Sequence, residues 1–280
     1  MKRTSPTASL AAPKAATPRV TAIVSTYASE RFLRGCLDDL VAQTIFAQTE
    51  VIVVDACSPQ NERTIVEEFQ CAHPNIRYER TAERIPLYAA WNHAIRLARG
   101  EYLTNANTDD RHAPHALERL ARVLDEHPEA GVAYASTAIT DMENGTLTTA
   151  PIKGTFKARK FDRRRLFFDC LPGPQPMWRR SLHERFGCFD ESFRSGGDHE
   201  FWLRIAGEVK FIHVPEVLGL FLDSPQSISH NAELTAREAE IARDRHWPKE
   251  WGQRPKDSRS RLDRWLRRST WREWWRGVRC

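Results

Sequence analysis

The stretch EVIVVD, residues 50–55, is the clearest structural signal in this chain of 280 residues. Its four central residues are all β-branched, so the run predicts a strand that is buried on both faces. A second apolar run, residues 20–25 (VTAIVS), precedes it, and residues 30–43 between them carry apolar side chains at helical spacing. The stretch therefore predicts the second strand of a strand–helix–strand unit, and Asp55 marks the carboxyl end of that strand.

The same alternation continues to residue 136. Further helices are predicted over 61–72, 88–99 and 114–127, and further strands over 76–80, 102–105 and 131–136. Gly100 is predicted to end the third helix at its C′ position. Strands that alternate with helices in this way predict an α/β fold with a mostly parallel sheet and helices on both faces. Beyond residue 136 the pattern is less regular, with a strand predicted over 209–214 and a helix over 232–247.

Polar side chains appear where three of these strands end, at residues 25–27, at Asp55 and at residues 105–110. In parallel sheets, ligands bind beyond the carboxyl ends of the strands. The segment LTNANTDDRH, residues 103–112, is the most unusual of the three. Asn and Asp form turns through their own backbone, and the same side chains bind hard cations and ribose hydroxyls. Residues 107–110 are therefore either a turn that caps the helix near Pro114 or a nucleotide and metal site.

Composition is that of an ordinary soluble protein, with 41% hydrophobic and 28% charged residues. No run of eighteen apolar residues occurs, so no spanning helix is predicted. The six cysteines are scattered without CxxC spacing, which is typical of a reducing compartment and indicates a cytoplasmic protein. Residues 1–18 are predicted to be a disordered lead-in, because Pro13 and Lys14 interrupt any signal-peptide core.

The basic charge is concentrated at one end. Residues 252–280 contain ten Lys or Arg and three acids, whereas the whole chain has a net charge of +5. We therefore expect no nucleic-acid binding by the body of the protein. Residues 232–280 are interpreted as a helical, basic tail rich in Trp and Arg, residue types that suit contact with a membrane surface. Packing against the body, or a solvated end, are the alternatives for this tail.

From Val20 to about His230 the chain resembles the family 2 inverting glycosyltransferases, which have the GT-A fold. The resemblance rests on the order and spacing of several segments: 21–27 (TAIVSTY), 51–55 (VIVVD), 57–59 (CSP), 87–95 (LYAAWNHAI), 98–103 (ARGEYL), 107–110 (NTDD), 187–193 (GCFDESF) and 197–204 (GDHEFWLR). It implies one domain over residues 19–231, with a nucleotide-sugar half (19–136) and an acceptor half (137–231).

The resemblance also implies a donor site. Residues 107–110 occupy the position of the DxD motif, so Asp109 is the expected ligand of a divalent metal, Mg²⁺ or Mn²⁺. Asn107 stands where the family often has Asp, and it would bind a ribose hydroxyl without adding charge. Asp110 is expected either to support the metal ligand or to cap the turn. Further residues expected around the nucleotide sugar are Thr26, Tyr27, Asp55, Arg84 and Asn92.

Several of these residues have structural alternatives. Asp55 would accept a hydrogen bond from uracil or cap the helix near Asn61, and Tyr27 would lie beside the base or in the core. Arg84 would contact the diphosphate or be solvated, and Asn92 would line the pocket or be an ordinary polar helix position. Asp223 and His230 lie near the place of a third metal ligand in this fold but match the family poorly, so neither is assigned to the metal.

On the acceptor side, Asp198 matches the catalytic aspartate of the family. Inversion requires a general base on the face opposite the leaving group, and two glycines before Asp198 would let the backbone place it. The alternative is a helix N-cap. Trp202 would stack on a sugar or lie in the core, and Arg204 would pair with phosphate or with an acid.

These residues predict a cytoplasmic, metal-dependent inverting glycosyltransferase of the hexosyltransferase type. It would move a sugar from a nucleotide sugar, with a UDP-sugar expected, to a saccharide or lipid-linked acceptor in polysaccharide or glycoconjugate assembly. Peripheral contact with the inner face of the membrane would then place the tail near such acceptors. A catalytically weakened sugar-nucleotide-binding or scaffold protein is the non-enzymatic alternative. A sugar-phosphate nucleotidyltransferase is disfavoured, because residues 25–30 (STYASE) are not a glycine-rich phosphate loop.

Overall fold

The computed structural model describes residues 17–252. Most of the predicted lead-in and the part of the tail from residue 253 onward therefore lie outside the described residues. The strands are β1 Val20–Thr26, β2 Thr49–Asp55, β3 Ile76–Arg80, β4 Tyr102–Asn105, β5 Arg111–His112, β6 Ala130–Thr140, β7 Gly154–Phe156, β8 Met177–Arg179 and β9 Lys210–Leu222. The helices are α1 Glu30–Val41, α2 Glu62–Ala72, α3 Leu87–Leu97, α4 Ala116–Glu126, α5 Arg163–Leu166, α6 Ser181–Phe186, α7 Gly197–Ile205 and α8 Ala232–His246.

Within residues 17–252 the strands form one sheet in the order β3-β2-β1-β4-β8-β6-β9-β5, with β7 paired to β6. The first four strands are parallel, as the sequence predicts. The short strand β8 then runs antiparallel between β4 and β6. The strand predicted over 131–136 is thus not a direct neighbour of β4, and β8 was not predicted at all.

Side chains of the sheet alternate between two apolar clusters, one on each face. Val20, Ala22 and Val24 of β1 face the cluster that also contains the apolar sides of α1 and α4, whereas Ile23 faces the cluster built with α3 and α7. This alternation follows from the two-residue period of a strand. The predicted placement of helices on both faces is confirmed.

Gly100 has a different role from the predicted one. The C-cap of α3 is Ala98, whose backbone is extended, so no left-handed glycine ends this helix. A Cβ on Gly100 would instead lie 2.6 Å from the backbone nitrogen of Thr21. Glycine is required here because β1 and the segment leading into β4 approach each other closely.

The helix α8 belongs to the body, although the sequence assigned it to a separate tail beginning at residue 232. Ala242 is fully buried in the cluster that contains α7. Arg245 pairs with Asp190, and His246 Nε2 lies 2.7 Å from Glu200. The folded body therefore extends at least through α8.

Candidate active site

The polar groups at the three strand ends lie on one edge of the sheet. Thr26 and Asp55 are partners in the register of β1 and β2. The amide of Ala106, directly after β4, donates to the carbonyl of Ile23 at 2.8 Å. The segment 107–110 consequently leaves the sheet beside the loop that follows β1, as the alternation predicts.

Asp55 is completely buried at this edge. Its Oδ1 accepts from the amide of Ser58 at 2.7 Å, and its Oδ2 accepts from the Tyr78 hydroxyl and the Arg80 guanidinium. Burial, followed by the hydrogen bond to Asp55, raises the pKa of Tyr78 to about 12. The side chain makes no hydrogen bond to α2, so the capping alternative is wrong. Arg80 remains 38% exposed and lies between Asp55 and solvent.

Glu62 joins the loops after β1 and β2, a role that the sequence reading missed. Its Oε1 accepts from the Ser29 amide at 2.9 Å and from the Ser58 hydroxyl at 2.7 Å, and Thr26 Oγ1 lies 3.4 Å away. Thr26 is itself buried, so its hydroxyl is directed to Glu62 rather than to the surface. The only sequence signal is an acid in the first turn of a helix. The two loops are thus a pre-assembled unit.

Tyr27 and Arg84 form a stacked pair at the same edge. The guanidinium carbon of Arg84 lies 4.0 Å from the centroid of the Tyr27 ring. Arg84 is exposed and Tyr27 half-buried, and among residues 17–252 no acidic side chain pairs with Arg84. An aromatic face and an unpaired cation side by side suit a base and a phosphate. The alternative that places Tyr27 in the core is wrong, because its side chain is only half-buried.

The segment 107–110 holds two adjacent carboxylates in different environments. Asp110 is buried, accepting from Asn107 Nδ2 at 3.0 Å and from the Leu222 amide at 3.3 Å. Burial, and then the charge of Asp109, hold the pKa of Asp110 well above its usual range. Asp109 is half-buried, burial raises its pKa, and no other described residue donates a hydrogen bond to its carboxylate.

The neighbouring cation does not neutralise this pair. Arg111 binds Asp39 through Nε at 2.6 Å and Nη2 at 2.8 Å. The N-cap of α4 is His115, which makes no side-chain capping bond, so the cap alternative for 107–110 is wrong. Within residues 17–252 neither acid forms an ion pair, and two adjacent desolvated acids of this kind favour an incoming cation.

Asp198 lies in the first turn of α7 and is half-buried. Its Oδ1 accepts a hydrogen bond from the hydroxyl of Tyr88 at 3.0 Å. Burial raises the pKa of Asp198, whereas the Tyr88 hydroxyl acts in the opposite direction. The N-cap of α7 is Gly196, so Asp198 is not the cap. Tyr88, which the sequence reading missed, belongs to α3 and thereby links the two predicted halves.

The glycines before Asp198 serve close packing. Neither has a positive φ. A Cβ on Gly197 would lie 2.7 Å from the ring of Tyr88, whereas the nearest atom to a Cβ on Gly196 is 3.5 Å away. The prediction that both glycines act through backbone freedom is therefore corrected: Gly197 is needed so that Tyr88 can reach Asp198.

We expect Gly197→Ala to lower the free energy of unfolding by about 1–3 kcal/mol, because the added methyl overlaps the buried Tyr88 ring. The matched control, Gly196→Ala, should stay within about 0.5 kcal/mol of the wild type, since it adds only an ordinary contact. Urea denaturation measures both values. Equal destabilisation by the two variants would contradict this account of Gly197.

Three residues from the sequence prediction have structural roles. Asn92 is 1% exposed and holds the loop between α6 and α7: Nδ2 donates to the carbonyl of Phe189 at 2.9 Å, and Oδ1 accepts from the Phe189 amide at 3.0 Å. Its amide group is therefore occupied by this loop and does not line the predicted donor pocket. Trp202 is 1% exposed and packs edge-on against Trp178, so it is a core residue. Arg204 pairs with Glu200 rather than with a phosphate site.

Asp223 and His230 lie after the last strand, near the place of a third metal ligand in this fold. His230 Nε2 is 2.7 Å from Asp223 Oδ1. Among residues 17–252 no group of three or more His, Cys, Asp and Glu side chains is arranged to hold a metal. In the same part of the chain, no helix is both long and apolar enough to cross a membrane.

The sequence is similar to those of known proteins. An uncharacterized glycosyltransferase of Methanocaldococcus jannaschii is 25% identical over 205 residues, covering 72% of this chain and 69% of the relative. An uncharacterized glycosyltransferase of Bacillus subtilis is 24% identical over 222 residues, covering 78% of this chain and 80% of the relative.

Two solved structures share the fold. S. aureus TarS 1–349 in complex with UDP-GlcNAc matches with a TM-score of 0.65 at 19% identity, over 80% of this chain and 66% of that one. The mannosyltransferase PcManGT from Pyrobaculum calidifontis, in complex with GDP-Man and Mn²⁺, matches with a TM-score of 0.64 at 20% identity, over 89% of this chain and 69% of that one. The predicted GT-A fold is thus confirmed. The family model for glycosyl transferase family 2 matches residues 21–186, more than half of the sequence, and the chain therefore belongs to that family.

Proposed function

We propose that the protein transfers a hexose from a nucleotide sugar, with a UDP-sugar as the expected donor, to an acceptor hydroxyl with inversion, in polysaccharide or glycoconjugate assembly. The observation that carries this proposal is the placement of Asp198. Asp198 is a half-buried carboxylate with a raised pKa, and the Tyr88 hydroxyl from α3 donates a hydrogen bond to it. In the same molecule, Asp109 and Asp110 follow the carboxyl end of β4. Two solved structures that share the fold, one in complex with UDP-GlcNAc and one with GDP-Man, support a sugar nucleotide as the donor.

In this proposal the nucleotide lies at the carboxyl edge of β1, β2 and β4. The Tyr27 ring packs against the base, and Arg84 contacts the diphosphate through charge-assisted hydrogen bonds. Asn107 binds a ribose hydroxyl. Asp55 contacts the base only if Arg80 moves aside, because both of its oxygens are already bonded. Thr26 and Asn92 do not contact the donor in this proposal. Thr26 bonds Glu62, and Asn92 bonds the backbone of Phe189.

A divalent metal fits this edge. Mg²⁺ and Mn²⁺ prefer oxygen ligands, and Mg²⁺ is commonly held by one or two carboxylates together with substrate phosphates rather than by a cage of protein ligands. Asp109 would be the protein ligand, because no other described residue donates a hydrogen bond to its carboxylate. The buried Asp110 would support it from the adjacent position. When bound, the ion would neutralise the charge that develops on the diphosphate. PcManGT in complex with GDP-Man and Mn²⁺ supports this choice.

The protein residues then perform the displacement. Asp198 removes the proton of the acceptor hydroxyl while its oxygen bonds to the anomeric carbon. The bond from that carbon to the diphosphate breaks on the opposite face, and a nucleoside diphosphate leaves. The Tyr88 hydroxyl fixes one oxygen of Asp198, so that the carboxylate keeps one orientation during proton transfer.

A donor panel tests the proposal. The purified protein is incubated with UDP- and GDP-sugars, with and without Mn²⁺, and nucleoside diphosphate release is measured. We expect Mn²⁺-stimulated release from a UDP-sugar, and proton NMR of the first-formed product should show the inverted anomer. Donor binding by thermal shift without release from any sugar would instead support the non-enzymatic alternative.

Peripheral membrane contact through residues 253–280 is a separate proposal, which rests on the ten cations and the tryptophans of the tail. The test compares the full chain with a chain that ends at Gly252, because Trp251 still packs on Phe167 at 5.2 Å between ring centroids. Vesicles containing phosphatidylglycerol should float the full chain and not the shortened one. Equal flotation of both chains would remove the tail from the proposal.

A further inference from the structure

A carboxylate from α8 is bound to the loop that leads into α7. Glu238 Oε1 accepts from the amide of Arg194 at 2.8 Å. Its Oε2 accepts from the amides of Ser195 at 2.9 Å and Gly196 at 2.8 Å. Three consecutive backbone N–H groups thus converge on one side chain. Such a concave set of amides is an anion-binding arrangement, and here the anion is supplied by the chain itself.

This contact lies next to Asp198. Glu238 is only 6% exposed, and Gly196 and Gly197 connect the bound loop directly to Asp198. On the other side, the Tyr88 hydroxyl lies 2.9 Å from the carbonyl oxygen of Ser195 and 3.0 Å from Asp198 Oδ1. The loop is therefore held from α8 through its amides, and the single hydrogen of the Tyr88 hydroxyl is shared between the Ser195 carbonyl and Asp198.

The helix that carries Glu238 is itself anchored to the acceptor half. Arg245 pairs with Asp190, and His246 lies 2.7 Å from Glu200 of α7. Charge-assisted hydrogen bonds of the kind that Glu238 makes are about twice as strong as neutral ones. The position of the loop is consequently set by a residue 42–44 positions further along the chain.

We propose that Glu238 is a positioning residue that fixes Asp198 for proton abstraction by holding the amides of residues 194–196. This inference rests on the proposed function, in which Asp198 is the general base. Glu238 does not touch the reacting atoms. It acts through the loop geometry, and it also places a negative charge near Asp198.

The negative charge of Glu238 should be detectable in the pH dependence of the rate. The titratable groups that face Asp198 are Tyr88 from α3, Cys170 from the segment after α5 and Glu238 from α8. Burial holds the pKa values of the Tyr88 hydroxyl and the Cys170 thiol well above their usual ranges, so both stay neutral. The negative charge of Glu238 contributes to the raised pKa of Asp198, after the larger effect of burial. Removing this charge should therefore move the acid limb of the rate profile to lower pH.

The experiment compares Glu238→Gln with Glu233→Gln in the full-length protein. Both variants remove one charge from α8, but Glu233 is exposed and contacts none of the loop amides. Gln cannot accept from all three amides, since one of its terminal atoms is a donor. We expect Glu238→Gln to lower the rate of nucleoside diphosphate release from the UDP-sugar about 10- to 100-fold, to shift its acid limb to lower pH, and to speed hydrogen exchange in peptides covering residues 193–198. Glu233→Gln should match the wild type in all three measurements.

The outcomes separate this inference from the proposed function. The inference is overturned if Glu238→Gln shows the same hydrogen exchange and the same pH profile as the wild type. This holds even if the rate of the variant is lower because its overall stability is lower. Faster exchange confined to residues 193–198, together with the shifted limb, supports it. If the wild-type protein releases no nucleoside diphosphate from any donor, the proposed function fails, and the exchange data still decide whether Glu238 holds the loop.

Discussion

Asp198→Asn should reduce the rate of nucleoside diphosphate release by about 10³-fold, within the range that general bases contribute. The variant keeps the size of the side chain, and its carbonyl oxygen can still accept from the Tyr88 hydroxyl, so α7 and the loop before it should stay in place. An amide, however, cannot take the proton of the acceptor hydroxyl. Steady-state kinetics with the preferred donor should therefore show a lower kcat with little change in the KM for the donor.

The pH dependence provides an independent check of the same residue. Burial raises the pKa of Asp198, and the carboxylate must be ionised to act as a base, so the wild-type rate should rise with pH through that raised pKa. This rise of the rate with pH should be absent in Asp198→Asn. Asp125→Asn is the matched control, because that exposed carboxylate pairs with Arg19 and accepts from the Tyr102 hydroxyl, outside the contacts that hold Asp198, and should leave the pH dependence in place. A residual rate above one tenth of the wild type would refute the assignment of the base.

Asp109→Ala is the second variant with a large expected effect, a loss of about 10²–10³-fold in Mn²⁺-stimulated release. A metal at the leaving group contributes several kcal/mol, and each factor of ten corresponds to about 1.4 kcal/mol. Because no other described residue donates a hydrogen bond to the Asp109 carboxylate, the substitution should leave the melting temperature unchanged or slightly higher. Calorimetric titration with Mn²⁺ in the presence of UDP should show weaker metal binding.

Asn107→Ala provides the contrast for this measurement. Asn107 carries no charge and donates to Asp110 at 3.0 Å, so its removal should lower the rate by less than Asp109→Ala while Mn²⁺ stimulation persists. If Asp109→Ala keeps wild-type Mn²⁺ binding and stimulation, the metal ligand lies elsewhere. The Asp223–His230 pair would then be the first alternative to substitute.

The parallel half of the sheet could be predicted from sequence because its strands are short apolar runs with helical patterns between them. Residues 20–26, 49–55 and 102–105 are of this kind, and their neighbours in the sheet are set by crossover connections. The strand β8 could not be found in this way. It has three residues, follows a proline-rich segment, and takes its place only through pairing with β4 and β6.

In the candidate site, too, residues marked by the neighbouring sequence can be predicted, whereas residues defined by contacts with distant parts of the chain cannot. Asp55, Asp109 and Asp198 can be recognised as candidates from sequence, because each lies at a strand end or in a motif. Tyr88 and Glu238 were missed, since their partners lie 107–110 and 42–44 residues away in the chain. Asn92 was misplaced for the same reason: a polar residue on an apolar helix does not reveal that its amide binds Phe189.

The insertion of β8 between β4 and β6 has a consequence for the order in which the chain can fold. During synthesis, β4 emerges long before residues 177–179, so until then its backbone N–H and C=O groups form an open edge of the kind that promotes aggregation. Trp178, which is fully buried in the apolar cluster that contains α3 and α7, is also added to that cluster only at this point. We therefore expect residues 19–136 and 137–231 to fold as a single cooperative unit. Pairings across so many residues predict slow refolding, and a nascent chain that ends before β8 would depend on chaperones.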